Sequence, residues 1–73
     1  MAARRLTALI EREADLFVSQ CRELDIASQG RTVEEARANL AEALELFFET
    51  ASDEEIQRRQ PVEVYVTSVE VGA

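Results

Sequence analysis

The sequence predicts a small α+β domain with elements in the order β-β-β-α-β, and three patterns support this prediction. Short runs of alternating apolar residues fill the first part of the chain, a capped amphipathic helix pattern follows, and a valine-rich segment lies near the end. Alternation with a period of two is typical of half-buried strands, whereas apolar spacings of three and four are typical of a helix packed on one face. We therefore expect a mixed sheet of three to four strands with one main helix on one face.

The first three strands are predicted from alternation and from the residues that interrupt it. Leu6, Ala8 and Ile10 fall on one face of the first run, and the polar break 13–15 separates this run from the second. Gly30 ends the third run, at a point where the chain must turn sharply. The predicted strands cover residues 5–12, 16–21 and 26–29.

The helix is predicted from a capping signal followed by an apolar stripe. Thr32 and Glu35 form a capping box, in which the threonine oxygen accepts from an early helix N–H and the glutamate reaches back. Apolar residues at spacings of three and four then predict a helix over residues 32–50. The stripe consists of Val33, Ala36, Leu40, Ala43, Leu44, Phe47 and Ala51.

The end of the chain predicts a short helix and a last strand. Ser52 and Glu55 form a second possible capping box, for a turn or helix that Pro61 must end. Residues 62–71 predict the last strand, whose valines change phase near Ser68. This change indicates either a bulge or an end that packs against a different surface.

Length and cysteine content predict one domain, residues 1–73, that associates with itself. A chain of 73 residues has a marginal core, and such scaffolds gain stability from disulfides, metals or oligomerisation. Cys21 is the only cysteine and histidine is absent, which excludes an internal disulfide and a structural zinc site. We therefore expect a homodimer or larger homo-oligomer without a cofactor, since one helix covers only one face of the sheet.

The charge of the chain favours a protein partner over nucleic acid. Fifteen acidic residues oppose eight basic ones, all arginine, for a net charge of −7. No long basic run is present to hold phosphates, whereas an acidic chain attracts a basic protein. From the charge alone, however, an effect on solubility is the favoured explanation. With no signal peptide or membrane span in the sequence, we expect a cytoplasmic protein with no membrane contact.

Catalysis is not expected from these residues. Glu11, Glu34 and Glu35 are the acids near strand ends and the helix start that could hold magnesium, but a solvated strand end and a capping box explain them. Without histidine the chain lacks a conventional general base near neutral pH, and Cys21 lacks a base to activate it. We expect that the protein is not an enzyme.

Several stretches resemble the HicB-type antitoxins of bacteria and archaea. The resemblance is carried by the following segments and extends over most of residues 5–50: 9–12, 21–30, 32–36, 39–40, 42–46 and 48–49. It implies a truncated ribonuclease H-like β-β-β-α-β fold. It also implies that the protein binds and silences a HicA-like toxin, a small RNA-binding protein that cleaves mRNA.

The chain departs from the HicB pattern at its C-terminal end and in its loops. Many HicB proteins carry an added C-terminal DNA-binding segment, whereas this sequence stops at Ala73, so we expect no direct contact with nucleic acid. The first hairpin has Ala14 and Asp15 where the family often has glycine, and Arg31 follows Gly30 where another residue type is common. These differences affect loop geometry more than fold.

The expected contacts with the toxin are acidic residues of the first hairpin and the following loop. Two other functions stay open: a DNA-binding regulator, which would need a basic dimer surface, and a stand-alone oligomeric module with an unknown ligand. The candidate partner-binding residues are Glu11, Glu13, Asp15, Glu23 and Asp25.

Overall fold

A computed structural model of the chain describes residues 5–59 and 63–72. Its strands pair antiparallel in the order β1-β2-β3, and one main helix packs against the sheet. The predicted α+β class is therefore confirmed. The elements are β1 (Ala8–Glu13), β2 (Leu16–Cys21), β3 (Ile26–Gly30), α1 (Val33–Thr50) and the short α2 (Asp53–Arg58).

The predicted fourth strand is not formed over residues 63–72, so this prediction is wrong for the described part of the segment. Val62, its predicted first residue, lies outside the described residues. Within residues 5–59 and 63–72, the sheet therefore has three antiparallel strands and is not mixed. The physical reason is that alternating valines give a segment its preference for extended backbone, but do not determine which strand it pairs with.

The pairing register assigns each strand residue to one of two faces. Ser19 and Cys21 of β2 are buried towards α1. Their partners on β1, Ile10 and Ala8, share this side of the sheet, which confirms that these two residues lie on one face. We call the opposite side of the sheet the outer face. It is formed on β1 and β2 by Leu9, Glu11, Glu13, Leu16, Val18 and Gln20.

The core lies between the sheet and α1. Cys21, Leu24 and Leu40 are its buried apolar centre, and Ala36 is also fully buried where α1 meets the strands. The Ser19 hydroxyl is buried as well, and it donates a 2.8 Å hydrogen bond to the Ala36 carbonyl. Half-buried side chains complete the core: Leu6, Ile26, Leu44, Phe47 and Phe48.

The junction between β3 and α1 is tightly packed and well capped. A Cβ atom added to Gly30 would lie 2.5 Å from the Ala36 nitrogen, closer than atoms can approach. The Thr32 hydroxyl accepts from the Glu35 N–H at 3.0 Å, which confirms the predicted cap. The Glu35 carboxylate reaches back to the Arg31 N–H at 2.6 Å, so the junction is held from both sides.

Replacement of Gly30 by alanine should destabilise the protein by about 1–3 kcal/mol, because the new methyl group overlaps the α1 backbone. The backbone of Gly30 does not have a positive φ, so the cost comes from packing alone. Gly72→Ala is the control, since a Cβ there meets nothing within 4 Å. Urea unfolding measures both variants, and equal midpoints for Gly30→Ala and wild type would contradict the tight contact.

Two loop residues have a backbone conformation that normally favours glycine. Ala14, in the two-residue turn between β1 and β2, has a φ of 54°, and Asp25, before β3, has a φ of 56°. Aspartate tolerates this left-handed region, whereas alanine is strained there. The glycine that the first hairpin lacks would therefore suit this turn better than the alanine present.

Ala14→Gly should stabilise the protein by about 0.5–1 kcal/mol, because glycine removes the steric cost of the left-handed conformation. The matched control is Ala38→Gly at an exposed position of α1, which should cost about 1 kcal/mol of helix stability. Thermal unfolding of both variants gives the comparison. Destabilisation by both substitutions would mean that the turn does not hold Ala14 in this conformation.

Candidate functional site

The outer face of the sheet combines an apolar strip with an acidic border. Leu9, Leu16 and Val18 are half-buried there, while Glu11 and Glu13 are exposed beside them. The middle of this face forms a shallow pocket of about 110 Å³. Its lining residues are Leu9, Glu11, Glu13, Val18 and Gln20.

The structure divides the five predicted contact residues between the two ends of the sheet. Glu11 and Glu13 lie on the outer face and Asp15 lies in the adjoining turn, and all three are exposed. Glu23 and Asp25 lie in the turn between β2 and β3, at the opposite end of the six-residue strand β2. At about 3.3 Å per residue, roughly 20 Å separates Glu13 and Asp15 from this turn. Glu11 pairs with Val18 in the middle of the strands and lies roughly 10 Å along the strand from Cys21, where the turn begins.

Glu23 has a structural role that the sequence did not indicate. Its carboxylate accepts hydrogen bonds from the Thr7 N–H at 2.9 and 3.0 Å, and from the Thr7 hydroxyl at 2.7 Å. The Cys21 thiol lies 3.6 Å from the same carboxylate. These bonds fasten the chain entering β1 to the turn after β2. Only the register, which pairs Ala8 with Cys21, could have suggested that Thr7 lies within reach.

The hydrogen bonds and burial shift two pKa values in opposite directions. Burial acts to raise the pKa of Glu23, but the hydrogen bonds from Thr7 outweigh it and lower the pKa. Burial raises the pKa of the Cys21 thiol, with a further contribution from the Glu23 carboxylate. A fully buried thiol with a raised pKa stays protonated near neutral pH, and it packs as a small apolar side chain.

Asp25 is also engaged locally. It accepts a hydrogen bond from the Gln20 side chain at 3.1 Å and remains exposed to solvent. The neighbouring Arg59, next to the C-terminal end of α2, donates to the Leu24 carbonyl at 3.4 Å and lies over the Phe47 ring at 5.2 Å. This end of the sheet is therefore occupied by internal contacts, which leaves the hairpin end as the more accessible acidic region.

The acids considered for magnesium binding lie on different sides of the molecule. Glu11 belongs to the outer face, whereas Glu34 and Glu35 lie at the start of α1, on the other side of the sheet. Glu35 is also used to cap the helix. Within residues 5–59 and 63–72, no group of three or more histidine, cysteine, aspartate or glutamate side chains could hold a metal ion.

A second acidic surface, not predicted from the sequence, follows the solvent side of α1. Four exposed glutamates fall within an arc of about 80° on the side of the helix opposite Leu40. The same periodicity that predicted the apolar stripe also places these residues together. They are Glu34, Glu42, Glu45 and Glu49, and we call them the helix acidic face.

Comparison with known proteins identifies no relative of this chain. No protein-family model, no curated protein and no solved structure matches it. In the part of the chain that the structure describes, neither helix has the length and apolar character needed to cross a bilayer.

Removal of the Glu23 charge should change how stability depends on pH. A lowered folded-state pKa contributes stability above the unfolded pKa of about 4.3, and this contribution disappears as pH falls through the folded value. Glu23→Gln should therefore be less stable than wild type near neutral pH, with the difference shrinking below about pH 4. Urea unfolding at several pH values tests this, with the exposed Glu49→Gln as the control. A pH-independent difference would contradict the ionic role.

Proposed function

We propose that this protein is a HicB-like antitoxin of the cytoplasm, which binds and neutralises a HicA-like mRNA-cleaving toxin without catalysis of its own. The observation that carries the proposal is the outer face of the β1–β2 hairpin. There an apolar strip lies beside exposed acids, on the side of the sheet opposite α1. A desolvated apolar centre with a charged rim is the usual composition of a protein-binding surface.

The residues that resemble HicB proteins support the fold part of the proposal most directly. The stretch 21–30 forms the end of β2, the turn and β3, and the stretch 32–36 forms the cap and start of α1. Cys21, Gly30 and Ala36 within these stretches are buried. Part of the resemblance therefore lies in residues that build the sheet–helix junction, and the antitoxin role is proposed from the resemblance as a whole.

Electrostatics provides the physical reason for the choice of partner. A toxin that holds RNA must present positive charge to phosphates, and a chain with a net charge of −7 is attracted to that surface. Glu13 and Asp15 are exposed at the turn end of the hairpin, and Glu11 is exposed two residues before Glu13 on β1. Their charges would compete with RNA for the toxin, while Leu9 and Val18 supply apolar contact behind them.

A DNA-binding regulator would need arginine side chains that are free to bind phosphates, but two of the arginines here make contacts within the chain. Arg12 lies over the Phe17 ring at 5.8 Å, and Arg59 contacts Phe47 and the Leu24 carbonyl. Arg22 lies in the turn at the other end of the sheet from Arg12. Arginines separated in this way do not form the basic surface that a phosphate backbone requires. Binding of a basic toxin through acidic residues is therefore better supported than DNA binding.

Charge reversal at the hairpin should weaken toxin binding. The variant with Glu11, Glu13 and Asp15 replaced by lysine should dissociate faster from the purified basic product of an adjacent gene, because close charge pairs are lost. It should also inhibit mRNA cleavage less. Association and dissociation rates at low and high salt measure the effect, and salt should slow association of the wild type.

The control variant carries the same charge change on the helix acidic face, with Glu42, Glu45 and Glu49 replaced by lysine. It should slow association through the loss of long-range attraction, but leave dissociation nearly unchanged. Equal dissociation rates for both variants would remove the hairpin from the interface. If the wild-type protein binds no adjacent-gene product, the antitoxin assignment fails.

A further inference from the structure

We propose that residues 63–72 of one chain, here called the tail, pair along the free edge of β1 in a second copy. The exchange is reciprocal, so that each of two chains supplies one tail and receives one. The occupant of the β1 edge is thus a second copy of this chain. The proposal concerns self-association and does not depend on the toxin.

The first observation is the exposure of an apolar, strand-forming segment. Tyr65, Val69 and Val71 are 80%, 82% and 84% exposed, although β-branched and aromatic residues favour paired, half-buried strands. The Tyr65 hydroxyl donates a hydrogen bond to the Glu63 carboxylate, so these two side chains lie on the same side of the backbone. This is the arrangement that alternate residues have in a strand, and it places Val64 on the other side.

The second observation is an open groove beside β1. Among the described strands, β1 pairs only with β2, so one of its edges presents unpaired backbone groups. On the helix side of this edge, β1 and α1 diverge and leave a groove of about 370 Å³. Two charged residues, Arg37 and Glu45, lie at this groove, and Glu45 also belongs to the helix acidic face. The rest of the lining is apolar and consists of Leu6, Ala8, Leu40, Ala41, Leu44 and Phe48.

The tail matches this groove in length and in pattern. The tail has ten described residues, whereas β1 has six, so the whole edge can be paired. A strand beside β1 would direct Val64 and Val66 into the groove, and Tyr65 to the outer face next to Leu9. The backbone hydrogen bonds would supply affinity and the alternate side chains would supply specificity, as in other cases of strand addition.

The extended path of the tail favours a second copy over the same chain. The radius of gyration is 14.2 Å and the longest dimension is 48 Å, whereas a compact chain of this length has a radius of about 11 Å. Among the described residues, none of the tail lines the groove of its own chain, and Tyr65, Val69 and Val71 stay exposed. Each chain carries one tail and one groove. In a two-fold dimer, each tail can therefore bind the groove of the other chain, so that no tail or groove is left over. The dimer would also enlarge a core that is small for one domain.

The first test is the mass in solution and its response to changes in the tail. Sedimentation of the wild type at micromolar concentration should give twice the chain mass of 8.2 kDa. Val66→Pro fixes φ at position 66 and lacks a backbone N–H, which together disfavour a paired strand, so it should weaken the dimer by at least about tenfold in dissociation constant. Val66→Ile keeps the donor and the strand preference, and it should remain dimeric.

The groove is tested by a pair of substitutions on α1. Ala41→Glu places a charge in the groove and should weaken the dimer, whereas Ala38→Glu adds the same charge at an exposed position that does not line it. A monomeric wild type at these concentrations would overturn the proposal. A dimer that resists both Val66→Pro and Ala41→Glu would do the same, because another surface must then hold it.

A disulfide experiment distinguishes exchange between chains from docking within one chain. Ala41→Cys is combined with Val64→Cys or with Val66→Cys, and Cys21 is kept because its thiol is fully buried. After mild oxidation of a mixture of isotope-labelled and unlabelled protein, mass spectrometry should find 41-to-tail disulfides that join the two labels. Disulfides confined to single chains, or none in either pair, would overturn the exchange.

Discussion

The close contact between the sheet and the start of α1 is the constraint on which the other features depend. Gly30 lets the α1 backbone approach the end of β3 to a distance that no other residue would permit. At the same junction, the buried Ser19 hydroxyl of β2 donates a hydrogen bond to the Ala36 carbonyl of α1. With the helix fixed at this point, Leu40 meets Cys21 and Leu24, and the helix does not cover the outer face of the sheet.

The acidic residues divide into those with structural contacts and those exposed to solvent. Glu23 and Glu35 are held by backbone N–H groups, and each fastens one chain segment to the next. The acids at the hairpin end, and those along α1, are exposed. The net charge counts both groups equally, although only the exposed acids are available to attract a partner.

Local signals predicted the part of the fold that depends on local chemistry. The cap at Thr32 and the stripe through Leu40 specify a helix without help from distant residues, and alternation specified the first three strands to within a few residues. The strand predicted near the end of the chain is not formed over residues 63–72, because alternating valines indicate a preference for extended backbone but do not specify the strand that pairs with it. The Thr7–Glu23 bond was missed for a similar reason, since sixteen positions separate the two residues.

The reactivity of the buried Cys21 thiol can be used to measure how often the contact between the sheet and α1 opens. This cysteine is the only one in the sequence and is fully shielded between β2 and α1, so a thiol reagent reaches it only when that contact opens. When reclosing is fast compared with modification, the labelling rate measures the free energy of opening of the sheet–helix contact under native conditions. A single natural side chain therefore gives access to the energetics of the junction without an added probe.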